Sequence, residues 1–141
     1  MKKALYSKIT CGALLVFAFT AGQAIAQYQD DDAWHRTREE FYAGNDWRMH
    51  MFDRVKSDLS HVQDVAFGRR DEDRIVDTEQ KVADLQSRMA TGAYDQPELD
   101  AVIDSLDKVV ADNRLGPRDR EMLTDDLNRV RDYRAHHENW H

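Results

Sequence analysis

Residues Tyr94 to Tyr133, YDQPELDAVIDSLDKVVADNRLGPRDREMLTDDLNRVRDY, read as two helices joined by a tight corner. Asp95 stands where it can cap the first helix, Glu98 completes a D-x-x-E capping box, and Pro97 falls in the first turn, where no amide donor is needed. Tyr94 and Leu99 occupy the two positions of a hydrophobic staple. Leu99, Val102, Ile103, Leu106, Val109 and Val110 then recur at helical spacing. The run breaks at Asn113-Arg114-Leu115-Gly116-Pro117. Pro117 opens the second helix, whose apolar stripe is Met122, Leu123, Leu127, Val130 and Tyr133.

Upstream, the same pattern appears twice more. Asn45 is placed to cap a helix with a seam of Phe52, Val55, Leu59, Val62 and Ala66, and Gly68 suggests its C-terminal cap. Asp71 reads as the next N-cap, followed by Ile75, Thr78, Val82, Leu85 and Met89 on one face; Thr91-Gly92-Ala93 ends that helix. A shorter helix is expected over Ala33 to Ala43, after a polar, disordered lead-in from Gln27 to Asp32. Acid-before-base pairs at i, i+4 (Asp77–Lys81, Asp84–Arg88, Asp104–Lys108, Asp125–Arg129) suit solvated helix faces. No alternating, strand-like pattern occurs. Four main helices of about 18 to 24 residues with short connections predict an all-α fold, a small antiparallel bundle of two helical hairpins.

Residues 1–26 read as a signal peptide. Lys2, Lys3 and Lys8 precede the apolar run GALLVFAFTAG (12–22), which is too short to cross a bilayer, and Ala24-Ile25-Ala26 is a cleavage site before Gln27. The expected organisation is therefore signal peptide 1–26, acidic lead-in and short aromatic helix 27–44, and helical bundle 45–141. The destination is exported, periplasmic or secreted, with no stable membrane insertion after cleavage. The one cysteine, Cys11, lies in the signal, so the mature chain has no disulfide, thiol nucleophile or thiolate ligand. Removing three lysines leaves 17 bases against 27 acids. That balance excludes a nucleic-acid surface and favours cations or basic proteins as partners.

Three groups of residues could carry function. His137 and His141 are at i, i+4, beside His136, and could offer imidazoles to a divalent transition metal; no other cofactor is indicated. Trp34, Phe41, Tyr42 and Trp47 crowd the start of the mature chain and could form an apolar partner surface. Asp100, Asp104 and Asp107 form an acidic stripe able to meet a basic partner. No nucleophile elbow, phosphate loop or Cys/His pair is present, and an enzyme is not expected. In class the chain resembles the periplasmic stress proteins that bind unfolded chains or sense metals, although their paired L-T-x-x-Q motifs are absent. The expected function is that of an exported helical interaction protein, an adaptor, chaperone-like or envelope-stress factor acting on a protein partner or client, with a homodimer compatible with its seams. The alternative is an envelope metal-binding or metal-sensing protein using the C-terminal histidines.

Overall fold

The computed structural model describes residues 31–40 and 50–139. Residues 31–40 are helical throughout (α1) and belong to a compact unit spanning Met1–Tyr42. Asp31 and Asp32, expected in a disordered lead-in, are already helical, and Asp31 lies 3.6 Å from the His35 imidazole one turn on. The expected signal peptide and the Asn45 cap lie outside the described residues.

The second unit, Ala43–His141, contains α2 (Met51–Asp64), α3 (Arg69–Met89), α4 (Gln96–Asp112) and α5 (Pro117–His136), with a single 3₁₀ turn over His137–Asn139. The described residues are all-helical apart from their connections and include no strand; none of their helices is long and apolar enough to cross a membrane. α2 packs on α3 and α5, and α4 packs on the same two helices, so the four close a ring around one core. The core is aliphatic. Val55 and Leu59 from α2, Ile75 and Val82 from α3, Val102 and Leu106 from α4, and Leu123 and Val130 from α5 are fully buried. These are the residues whose 3.6-residue recurrence defines the amphipathic faces. Met51 joins them at the first position of α2, and Phe52 closes the edge against Tyr133 with ring centroids 5.7 Å apart.

The caps divide into those that formed as expected and those that did not. The Asp95 carboxylate accepts from the Glu98 amide at 3.1 Å and Pro97 sits in the first turn of α4. Gly92 adopts φ +83°, a left-handed conformation that an L side chain disfavours, and so turns the chain from α3 towards α4. Gly68 does not cap α2. That helix ends at Asp64, where the Val65 and Ala66 amides fold back onto the carbonyls of Val62 and Gln63, and Gly68 becomes the residue before α3. Asp71 is consequently inside the first turn of α3 rather than its N-cap. Its carboxylate accepts instead from the Arg114 amide at 3.1 Å and pairs with Arg74 at 3.1 Å.

Candidate functional site

The corner between α2 and α3 presents the most exposed apolar side chains of the described structure. Phe67 is 72% exposed and Val65 48%. Both follow the last turn of α2, where the Val65 and Ala66 amides donate back to the Val62 and Gln63 carbonyls, and both side chains are in solvent. The same corner is held to the one between α4 and α5. Asn113 is buried there. Its Nδ2 donates to the Asp71 carbonyl at 3.0 Å, its Oδ1 accepts from Arg74 at 2.8 Å, its amide donates to the Val109 carbonyl, and its carbonyl accepts from Arg120 at 3.1 Å. Every polar group of the residue is thus satisfied, which is what burial of an amide requires.

Between α2 and α5 lies a second polar element. Arg54 is 3.2 Å from Asp126 and 3.0 Å from Asp125 on α5, and 3.8 Å from Asp58 one turn along α2. The Asp58 and Asp126 side chains are fully buried, and Arg129 also engages Asp125, at 2.8 Å. One turn beyond, His61 faces Asp119 at 3.7 Å. This ionic seam replaces apolar packing along one side of the α2/α5 contact.

A third polar feature runs between α3 and α4. Thr78 and Ser105 meet in the interface with hydroxyl oxygens 2.8 Å apart, and Thr78 also donates to the Arg74 carbonyl at 2.8 Å. Outside them, Arg74, Asp77, Lys81, Asp104, Ser105 and Lys108 line an open groove of about 250 Å³. Lys81 hydrogen-bonds Asp77 and holds its carboxyl below the usual range, with the Ser105 hydroxyl and the Lys108 charge acting in the same direction.

The residues singled out from the sequence are dispersed over these surfaces. Trp34 is half-buried on α1, edge-on to His35 with centroids 5.0 Å apart. Phe41, Tyr42 and Trp47 lie outside the described residues, as does His141. In the acidic stripe, Asp100 is bonded by Arg134 and Asp107 by Arg131 at 2.9 Å, both reaching across from α5. The Arg134 guanidinium holds the Asp100 carboxyl below its ordinary value. Asp104 remains on the groove rim. His136 is exposed, with Nδ1 3.0 Å from Asp132, whereas His137 stacks flat on Tyr94 at 3.7 Å and 4°. Tyr94, placed by its spacing for a staple with Leu99, thus gives its ring face to His137. Phe67, Asn113 and Arg54 were not among the candidates. A lone Phe before a glycine, an Asn at a helix end and an Arg on a helix face carry no local signature of these environments.

Comparison with known proteins returned no matching family model, no similar curated protein and no similar solved structure.

Proposed function

We propose that the protein is a small exported interaction protein of the cell envelope, adaptor- or chaperone-like and without catalytic activity. In this reading residues 1–26 are removed on export and the four main helices run as two antiparallel hairpins. The observation that carries it is the Val65–Phe67 corner, with Phe67 72% exposed beside a closed aliphatic core. An aromatic ring presented to solvent beside a packed core is the kind of group that enters a partner's pocket and dominates a contact. Trp34, half-buried on α1, is a further aromatic proposed for contact with a partner or client.

The test uses the mature chain and a thermally unfolding client enzyme. At equimolar ratio the chain is expected to suppress aggregation, and Phe67→Ala to weaken that suppression about threefold or more without shifting its own melting temperature. Absence of suppression by the parent chain, or full suppression by Phe67→Ala, would sink the proposal. Export is checked separately by N-terminal sequencing of the chain recovered from the envelope, which should begin at Gln27.

A further inference from the structure

The α2/α3 and α4/α5 corners form one end of the bundle. Asp71 joins them: its carbonyl accepts from the Asn113 side chain at 3.0 Å and its carboxylate from the Arg114 amide at 3.1 Å. Residues 65–70 (VAFGRR) and 113–118 (NRLGPR) hold four arginines and no acid, against the sign of the whole chain, whose net charge is −7. Phe67, Arg69, Arg70 and Arg114 are all exposed. Among the described residues no hydrogen bond or ion pair engages the Arg69, Arg70 or Arg114 side chains. Acids resume along the helices behind, at Asp64, Glu72, Asp73 and Asp112. Arg69 and Arg70 open α3, and Arg118 stands second in α5. The helix dipole favours acids at those positions, so these charges do not serve the stability of the helices that carry them.

Resting on the docking corner proposed above, we infer the chemistry of its partner: a short acidic segment of another chain, with an apolar residue against Phe67 and carboxylates on Arg69, Arg70 and Arg114. Arginine suits that role because its planar guanidinium pairs with a carboxylate through two parallel hydrogen bonds. The rest of the molecule sets the size of the partner. An extended anionic surface, such as a lipid bilayer, meets the field of the whole acidic chain and is repelled. A flexible segment meets only this end, because salt screens charges more than about 8 Å away at physiological ionic strength.

The full mature chain is titrated, by fluorescence anisotropy, against three labelled peptides: glutamates with interspersed leucines, lysines with the same leucines, and a glycine–serine peptide with the same leucines. The acidic peptide is expected to bind at about 100 μM or tighter, and the other two at least about tenfold more weakly. Phe67→Ala should weaken the acidic peptide about tenfold. Arg69→Glu with Arg70→Glu should reverse the order of the acidic and lysine peptides. That double variant places acids in the first turn of α3, where the dipole favours them, so its melting temperature should not fall. Equal binding of all three peptides, lost in Phe67→Ala, would overturn the acidic preference and leave the docking corner standing. Acidic-peptide binding that survives Phe67→Ala would remove the docking ring, and both readings with it. No binding of the acidic peptide at about 1 mM, or an unchanged order in the double variant, would overturn the inference. Sedimentation with phosphatidylglycerol vesicles without peptide binding would overturn it in favour of a membrane contact.

Discussion

Asn113 links α3, α4 and α5: its side chain accepts from Arg74 and donates to the Asp71 carbonyl, while its backbone closes α4 and receives Arg120. Asn113→Ala strands a buried carbonyl and a guanidinium donor, and urea unfolding is expected to show a loss of about 1–3 kcal/mol. Asp95 acts more locally. Asp95→Ala removes the cap on the Glu98 amide and the partner of Arg88, and should cost about 1 kcal/mol, with helix content reduced first at the α4 N-terminus. Glu79 behaves in the opposite sense. Desolvation is the largest influence on its carboxyl and raises it above its ordinary value, with Asp64 adding to the rise and Lys56 opposing it. A folded-state value above the unfolded one means that ionisation of Glu79 opposes folding. Its stabilising contribution is complete below the unfolded pKa and is lost as pH rises through the folded pKa. Glu79→Gln should therefore be more stable than the parent at pH 7, and the difference should vanish on acidification through the carboxylate range; a pH series of thermal midpoints checks both.

At the scale of elements, α2 and α5 are joined by charge where α3 and α4 are joined by hydroxyls. Arg54→Met leaves the fully buried Asp58 and Asp126 carboxylates without their guanidinium. Breaking a buried ion network from one side costs about 3–5 kcal/mol, so this single change should lower the urea midpoint as much as a core deletion. A cost below about 1 kcal/mol would mean the seam is solvated rather than buried. The equivalent exchange between α3 and α4, Ser105→Ala, removes only one neutral hydroxyl contact and should cost about 1 kcal/mol. The pattern of residues 94–133 disclosed α4 and α5 almost to the residue, because a capping box, a proline in each first turn and an apolar stripe are all local signals. The end of α2 was less legible. Gly68 had the composition of a cap, but the chain had already turned at Val65.

For the whole molecule, the contrast between Leu123 and Phe67 separates stability from surface function. Leu123 is fully buried where the four helices meet, and Leu123→Ala should cost about 2–5 kcal/mol through lost transfer energy and the cavity left behind. Phe67→Ala should leave stability within about 0.5 kcal/mol, since the ring is in solvent. Circular dichroism melts of the two variants distinguish the roles directly. A large loss on Phe67→Ala would place that ring in an interior and remove the support for a docking corner.

Helix type, helix number after residue 50 and the aliphatic stripes were determined by the sequence alone, because periodicity and caps depend on residues within a few positions of one another. Which charged residues are buried was decided only by the tertiary structure. Arg54 looks like any solvated helix arginine until α5, 71 positions away at Asp125, supplies its carboxylates. Asn113 looks like a helix breaker until Asp71 and Arg74 arrive from α3. Apolar burial can be anticipated from a pattern because any apolar neighbour satisfies it. Polar burial requires a particular partner at hydrogen-bonding distance, and that partner is chosen by the packing of helices distant in the chain.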